Sequence, residues 1–517
     1  MSGATPDKAA FDGPQPVTEG EVAKSAATAL LARFGAIIEI VSQPAYTWLF
    51  SVATYGVYTV LWSVVNILAN ICDLAMTTVL QRVVPQARSD DEALIAVKAA
   101  LLLTQATTVP LAILGSFMAP YLARLVNAAP RDEPTLALAI GLFCWALPLW
   151  TFLEVSGSAL RARRAFGPEI RLKVFYEQAS RLTAALLCFA IGMRSLGLVA
   201  AHLASLLLIC AMSVRLLGRY YDLRRMIRVP IPRRTWADLV GLGSAALPAN
   251  LLNRIYSDLP PVLLNIMLPG VQGATASALY GIARKVASTM QMVKLSFGYV
   301  MAPLASAQSA AVDTAAIQPL YGFATRLAAA GILPLTAGLI CVGEEILFLF
   351  APEARAAFGL LVVLTIGRSL EALVGPGGAI LLVIGKRRLT LLNSAIGVLS
   401  WIPLALVLTP RLGAMGMAIS VAISINLVAI LALIQLYQAH RLHPFRPPFG
   451  RTVLVGLGST LLIFAADTAG QMKSAPVGAL AAFATFFVAF WISLRFGLGP
   501  GDRGSLGRFG RWLRLKV

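Results

Sequence analysis

The chain has 517 residues, of which 58% are hydrophobic and 13% are charged, and its formal net charge is +19. Soluble proteins carry about twice that share of charged residues, so the composition excludes an ordinary soluble enzyme and indicates an integral membrane protein. The cations lie in short loops between apolar runs, with no soluble basic domain to hold a nucleic acid, and we expect no nucleic-acid partner.

Long apolar runs fill most of the chain and predict an all-α polytopic membrane protein. Residues 1–26 are polar and predict a disordered cytosolic tail. A membrane-spanning helix needs about 20 apolar residues, and on that basis we expect about 14 transmembrane helices. They are predicted at 27–50, 52–80, 93–126, 136–160, 174–193, 196–217, 239–268, 275–305, 324–350, 357–384, 389–409, 413–437, 453–466 and 477–494.

The predicted helices group into two lobes of six, with two helices left over. The N-lobe covers 27–218, and a basic cytosolic linker at 219–238 leads to the C-lobe at 239–438. The remaining predicted segments are a basic cytosolic loop at 439–452, the last two helices at 453–497 and a basic cytosolic tail at 498–517.

Arginine and lysine are concentrated in the loops that would be cytosolic if the N-terminus is cytosolic. Because basic residues favour the cytoplasmic side, both termini are predicted to lie in the cytosol. The tail between Arg508 and Lys516 mixes cations with aromatic and aliphatic residues. It is predicted to bind the anionic lipids of the inner leaflet.

Short segments recur about 220 residues apart, one set in each predicted lobe. Residues 54–57 match 279–282, residues 161–164 match 386–388, and residues 194–200 match 411–418. The repeat predicts two parallel six-helix lobes around a central cavity, which is the plan of an alternating-access transporter.

The first two spans of the predicted C-lobe carry charge where hydrocarbon should exclude it. A charge at the centre of a bilayer costs on the order of 3 kcal/mol or more unless it faces a partner or a hydrated cavity. We therefore predict a hydrated cavity that binds anions, to which Arg33 of the first span also contributes. The candidate binding residues of the second lobe are Asn250, Asn253, Arg254, Arg284, Lys285, Gln291 and Lys294.

Three acids in the spans are candidates either for binding a coupling ion or for structural pairing: Glu39, Glu154 and Asp258. Asp258 follows Arg254 by four residues and can pair with it, whereas Glu154 is an isolated acid in the fourth span. Asp73 is expected to cap or brace the end of the second span. The spacing also predicts two structural ion pairs, Glu177 with Arg181 and Arg368 with Glu371.

Signals of catalysis are missing from the sequence. His202 lies alone in the sixth span, and the five cysteines lie in apolar runs without CxxC spacing. There is no glycine-rich nucleotide-binding loop and no long outer loop for a catalytic domain. We therefore expect a protein that is not an enzyme, with no metal and no cofactor.

Several motifs in this order resemble the bacterial polysaccharide exporters of the MOP flippase superfamily. The resemblance extends over about residues 27 to 440, and Ala75 departs from it because the family usually has glycine after the acid. The motifs are Tyr55-Gly56-Val57-Tyr58, Asp73-Leu74-Ala75, Gln81-Arg82-Val83-Val84-Pro85, Leu279-Tyr280, Ala283-Arg284-Lys285, Pro303 and Arg411-Leu412-Gly413-Ala414-Met415-Gly416-Met417-Ala418.

The resemblance implies a multi-pass flippase of the bacterial inner membrane. It would move a polyprenyl-diphosphate-linked oligosaccharide from the inner to the outer leaflet for lipopolysaccharide or exopolysaccharide assembly. In the related lipid II flippases, arginines of the first and eighth helices hold the diphosphate, and Arg33 and Arg284 occupy similar places here. A polysaccharide polymerase and glycosyltransferases are candidate partners.

Two other classes stay open from the sequence. A small-molecule or drug exporter of the MATE or major-facilitator type would share the two-lobe plan, although a cationic cavity would repel cationic drugs. An intramembrane glycosyltransferase or polymerase would need a sizeable outer loop with a catalytic acid and base, and no such loop is predicted.

Overall fold

A computed structural model of the protein describes residues 42–291, 314–384, 386–472 and 474–505, and these residues form helices and connecting turns without a strand. The α-helices are α1 (42–50), α2 (Val52–Cys72), α3 (Met76–Gln86), α4 (Asp90–Leu122), α5 (Glu133–Phe143), α6 (Ala146–Ala162), α7 (Phe166–Ile170), α8 (Glu177–Ala190), α9 (Gly197–Tyr220), α10 (Leu223–Arg228), α11 (Arg233–Met267), α12 (Gly270–Ala287), α13 (Thr314–Cys341), α14 (Gly343–Phe350), α15 (Phe358–Val374), α16 (Gly377–Val383), α17 (Arg387–Leu412), α18 (Ala414–His440), α19 (Phe449–Gln471), α20 (Ala475–Ile492) and α21 (Pro500–Ser505).

Three short helical turns of other types join these helices. A π-helical turn at Arg171–Tyr176 connects α7 to α8, and a second one at Ser493–Gly497 follows α20. A 3₁₀ turn at Pro352–Ala357 precedes α15. The first π-turn places Lys173 next to α6, where it pairs with Glu154.

The chain divides into two compact units, with the boundary between Leu259 and Pro260 inside α11. In the first unit, α3, α4, α6 and α9 pack around fully buried side chains such as Leu80, Leu94 and Leu160. In the second unit, α13, α16 and α18 meet at Tyr321 and Leu436. The predicted limits of the lobes, the linker and the tails stay predictions.

Ten helical segments of the described residues are long and apolar enough to cross a membrane. The predicted spans without a counterpart among these ten are 27–50, 174–193, 239–268 and 275–305. The first and last of these four fall partly outside the described residues. At 174–193 a π-turn and a charged pair interrupt the apolar run, and at 239–268 polar side chains of α11 interrupt it. The total of about 14 is compatible with the structure and stays a prediction.

The second predicted span, 52–80, is not continuous. Helix α2 ends at Cys72 and α3 begins at Met76, and between them Leu74 and Ala75 adopt left-handed backbone angles with φ of 47° and 56°. Glycine adopts this conformation without the steric cost that a Cβ atom adds, so the glycine that the resemblance implies here would be less strained than Ala75. The departure at Ala75 therefore affects the backbone of a helix break and not only helix packing.

Helix α11 packs tightly against this break through Gly243. A Cβ atom added at Gly243 would lie 2.2 Å from the backbone oxygen of Leu74 and 2.7 Å from the side chain of Met76. A backbone oxygen cannot rotate away as a side chain can. Glycine at this position is therefore what allows α11 to contact the break.

The change Gly243→Ala is expected to destabilise the protein by about 1–3 kcal/mol, because the new methyl group must push the two backbones apart. Gly241→Ala is the matched control, since it lies on the same helix with nothing within 4 Å of the added Cβ. The control should be neutral or slightly stabilising because alanine favours a helix more than glycine does. Thermal unfolding of both variants in detergent measures the difference, and equal midpoints would contradict the close contact.

The tenth predicted span, 357–384, is also broken. Helix α15 ends at Val374, Gly375 has a φ of 87°, and α16 begins at Gly377. A Cβ atom at Gly375 would lie 2.3 Å from the hydroxyl of Thr325 on α13. The positive φ and the close approach both require glycine here, and neither is visible from the hydropathy of the segment.

One ion pair and two hydrogen bonds hold the basic segment between α9 and α11 against α4. Arg225 donates to Asp91 at 2.6 Å, and Lys98 donates to the backbone oxygens of Ile227 and Val229 at 2.8 and 2.7 Å. The predicted linker at 219–238 thus contains the helix α10 and has fixed contacts in the first unit.

In the second unit, the last described helix is fastened to α13 by a buried ion pair. Arg326 donates through Nε and Nη2 to the two carboxylate oxygens of Asp502 at 2.8 and 2.6 Å. Both side chains are largely buried, with exposures of 12% and 9%. Gly322 lies next to this pair, because a Cβ atom there would approach the Arg326 guanidinium to 2.8 Å.

Candidate functional site

The strongest candidate site in the second unit is a cluster of side chains on α12 and α15. Arg284 lies 14 residues after the start of α12, which corresponds to about 21 Å along the helix axis. The hydrocarbon core of a bilayer is about 30 Å thick, so Arg284 is far from the end at which α12 begins. Its charge therefore needs a partner or a hydrated surrounding.

Arg284 does not stand alone, because α15 brings Arg368 into the same cluster. Both guanidinium groups act electrostatically on the hydroxyl of Tyr280, which lies one turn before Arg284 and is fully buried. The Tyr280 hydroxyl has no hydrogen-bond partner among the described residues. The charges of both arginines therefore act on the same polar group inside the second unit.

Gln291 and Glu371 hold Arg368 in place. With its amide oxygen facing Arg368, Gln291 accepts hydrogen bonds from Nη1 at 2.9 Å and Nη2 at 3.1 Å. Glu371 accepts from Nη1 of Arg368 at 3.0 Å, as the spacing of the two residues predicted. We call Tyr280, Arg284, Gln291, Arg368 and Glu371 the guanidinium cluster.

Counted over the described residues, the guanidinium cluster has two cations and one carboxylate, which gives it a net positive charge in a partly buried setting. Guanidinium groups donate in a planar fork that matches the oxygens of a phosphate or diphosphate. The cluster is therefore suited to bind an anion with several oxygen acceptors. Lys285, the next residue on α12, is partly buried and adds a further cation to the same helix.

Some predicted site residues cannot be placed with the cluster. Arg33, Glu39 and Lys294 lie outside the described residues, as do the predicted N-terminal tail and residues 506–517 of the predicted C-terminal tail. Asn250 and Asn253 lie on α11, where Asn250 is partly buried.

Arg254 and Asp258 form the predicted pair on α11, with 3.6 Å between Nη1 and Oδ2. Asp258 is buried, whereas the Arg254 side chain is 44% exposed. The exposed guanidinium keeps part of its hydrogen-bonding capacity for other groups. Arg254 thus remains a candidate binding residue, and Asp258 has the pairing role.

Glu154 of α6 is not isolated, contrary to the sequence prediction. Lys173, which the sequence assigned to a loop, donates to Oε1 of Glu154 at 2.5 Å. The same ammonium group lies 5.1 Å from the centre of the Trp150 ring. The π-turn before α8 makes this pairing possible, and no residue spacing in the sequence reveals it.

His202 is also not alone. Its Nδ1 lies 2.8 Å from the hydroxyl of Tyr58, and its ring packs 4.4 Å from the centre of Trp62. Trp62 in turn contacts Trp150 edge to face at 5.0 Å. These contacts pack α2, α6 and α9 together in the interior of the first unit.

Sequence reasoning missed Arg368 and Lys173 as members of charged clusters. Arg368 seemed neutralised because Glu371 follows three residues later, and Lys173 seemed to be an ordinary loop cation.

Within the described ranges no group of three or more His, Cys, Asp or Glu residues could hold a metal ion.

The sequence matches one family model, described as polysaccharide biosynthesis protein, over residues 22–308. This match covers more than half of the 517 residues. No curated protein sequence matches the chain.

Solved structures with a similar fold include a lipid II flippase, MurJ, in an inward closed conformation. The TM-score is 0.70 at 12% identity, and the alignment covers 90% of this chain and 98% of that chain. A MATE family multidrug resistance transporter of the MOP superfamily in an inward-facing conformation gives a TM-score of 0.60 at 15% identity, with 78% and 93% covered. A MOP superfamily transporter from Pyrococcus furiosus, reported with a binding pocket of reverse polarity, gives 0.55 at 16% identity, with 80% and 94% covered.

The fold is therefore an all-α multi-pass membrane fold similar to that of the solved MOP superfamily structures. The chain belongs to the polysaccharide biosynthesis protein family. Three predictions are confirmed by these matches: the likeness to the MOP superfamily, the all-α membrane fold and a protein that is not an enzyme. The bacterial inner membrane and the cytosolic position of both termini stay predictions.

Proposed function

We propose that the protein is a flippase that moves a polyprenyl-diphosphate-linked oligosaccharide from the inner to the outer leaflet of the bacterial inner membrane by alternating access. The family and the fold support a transporter in polysaccharide biosynthesis. The observation that carries the substrate class is the guanidinium cluster, since its two arginines are suited to a diphosphate.

In this proposal the diphosphate binds at Arg284 and Arg368, and Lys285 adds positive charge nearby. The amides of Asn250, Asn253 and Gln291 are the proposed donors and acceptors for sugar hydroxyls. Arg254, Arg33 and Lys294 are the further cations proposed for the cavity. The lipid tail can stay in the hydrocarbon outside the protein, so only the headgroup needs polar contacts.

A drug exporter of the MATE type is the alternative that the fold also permits. The charge of the guanidinium cluster argues against cationic substrates, because like charges repel in a setting of low dielectric constant.

The proposal is tested with purified protein in liposomes that contain a fluorescent polyprenyl-diphosphate oligosaccharide. Translocation is followed by the access of a membrane-impermeant reagent to the labelled sugar. We expect the protein to move the diphosphate lipid and to move the matching monophosphate lipid more slowly, because fewer oxygens meet the arginines. A cationic dye serves as the second probe. Transport of the dye without transport of the lipid would overturn the proposal in favour of the exporter.

A further inference from the structure

The break between α2 and α3 holds an acid that the guanidinium cluster does not use. Asp73 is 6% exposed and lies directly before the left-handed residues Leu74 and Ala75. Its Oδ2 accepts hydrogen bonds from the hydroxyl of Thr77 at 3.0 Å and from the backbone N–H of Thr77 at 3.4 Å. Its Oδ1 is buried and has no hydrogen-bond partner in the part of the chain that the structure describes.

Helix α6 carries a second acid, Glu154. Burial is the main cost of a negative charge on Asp73, and the Glu154 carboxylate adds a smaller repulsion. One turn after Glu154, Ser158 donates to the backbone oxygen of Thr77 at 2.5 Å. Gln81 also donates to that oxygen at 3.0 Å. The Ser158 bond joins α6 to α3, and Glu154 and Asp73 each lie one turn before its two partners.

The cations near the break interact with the carboxylate of Glu154 and not with that of Asp73. Lys173 pairs with Glu154, and Arg161 and Arg254 also act on the Glu154 carboxylate. Arg161 is itself paired with Glu169 at 2.5 Å.

The other helices that pack on the break bring neutral groups to it. Helix α4 brings Thr107, whose hydroxyl donates to the backbone oxygen of Cys72, and α11 brings Gly243. Asp73 thus has one like-charged neighbour and no paired cation among the described residues.

Two carboxylates near each other in a buried setting cannot both ionise cheaply, and the one without a cation keeps the proton more readily. Glu154 has its cation in Lys173. Sodium is a poor fit, because an ion site needs several convergent oxygens and the break offers one carboxylate oxygen without a partner.

We propose that Asp73 is a proton-binding site and that the proton on its Oδ1 is the coupling ion of the transporter. In each cycle one proton adds to the Asp73 carboxylate to form the acid, and the same proton leaves to the opposite side. A structural change at the break on protonation can reach α11 directly, because α11 packs closely against the backbone oxygen of Leu74 at Gly243. The coupling role rests on the proposed function, whereas proton binding at Asp73 does not.

Infrared difference spectra of the purified protein in lipid bilayers test proton binding without any transport assay. We expect the C=O stretching band of a protonated carboxyl group to titrate with pH in the wild type and in Glu154→Gln. The band should be lost in Asp73→Asn. Thr77→Val, which removes the hydroxyl donor to Oδ2, should keep the band and move its pH midpoint. A band that remains in Asp73→Asn, or that disappears only in Glu154→Gln, would overturn the proposal.

The coupling role is tested in liposomes with an imposed pH gradient and, separately, a sodium gradient. The wild type should respond to the pH gradient alone. Asp73→Asn should still bind inorganic pyrophosphate with wild-type affinity but lose the response to the gradient. An unchanged response in Asp73→Asn, or a response to sodium, would overturn coupling at Asp73. Absence of lipid translocation by the wild type would instead refute the proposed function, and the infrared result would stand.

Discussion

Replacing Arg284 and Arg368 together by alanine is expected to lower translocation of the diphosphate-linked lipid at least about 100-fold. A hydrogen bond to a charged group contributes about 1.5–3 kcal/mol, and a change of 1.4 kcal/mol is tenfold. Losing one such bond from each arginine therefore removes two or more powers of ten. The single variants Arg284→Lys and Arg368→Lys keep the charge but lose the planar fork, and we expect intermediate rates.

The measurement is the liposome assay, together with restoration of polysaccharide export in a strain that lacks the gene. Arg355→Ala is the matched control in the second unit, because Arg355 is exposed and stacks on Phe348 at 4.4 Å. It should export as the wild type does. The variant Arg284→Ala with Lys294→Ala extends the test to a predicted cation outside the described residues. Full restoration of export by either double variant would contradict the cationic site.

Removing Arg181 from its buried pair is expected to destabilise the protein by about 3–5 kcal/mol. Arg181 and Glu177 are 7% and 5% exposed and lie one turn apart on α8. The change Arg181→Met leaves a buried carboxylate without its cation, which is the costly state. In the double variant Glu177→Leu with Arg181→Met no charge is left behind, and stability should return to near the wild-type value.

Unfolding of the variants in detergent gives the comparison. Arg234→Met is the matched control, because the Arg234–Asp238 pair has the same four-residue spacing but is exposed on both sides, with 3.8 Å between the charged atoms. It should change stability by no more than about 1 kcal/mol. If the single and double variants at 177 and 181 prove equally unstable, lost packing and not the uncompensated charge accounts for the effect.

Much of the fold follows from hydropathy alone, because each span must satisfy its own backbone hydrogen bonds in lipid. The helix breaks at Asp73–Ala75 and Gly375 could not be predicted from hydropathy. Apolar residues continue on both sides of each break, so composition shows no interruption. The breaks depend on close contacts from other helices, by Gly243 with Leu74 and by Thr325 with Gly375.

The candidate site was predictable where charge lies on a single helix. Arg284 and Gln291 were identified from their position in an apolar span, and the structure places both in the guanidinium cluster. Arg368 was missed because its membership depends on the packing of α15 against α12. Lys173 was missed for the same kind of reason, since its contact with Glu154 requires the π-turn. Local spacing reveals pairs on one helix and cannot reveal pairs between helices.

The pairing of Arg326 with Asp502 sets a limit on how far this chain can be shortened in expression work. A version that ends before Asp502 would retain a largely buried guanidinium on α13 with no carboxylate opposite it. Water would then have to enter the interior near Gly322 to solvate the guanidinium, unless Arg326 is itself replaced by a neutral residue. A shortened protein should therefore carry Arg326→Met as well, so that trimming the end does not itself create a defect in the second unit.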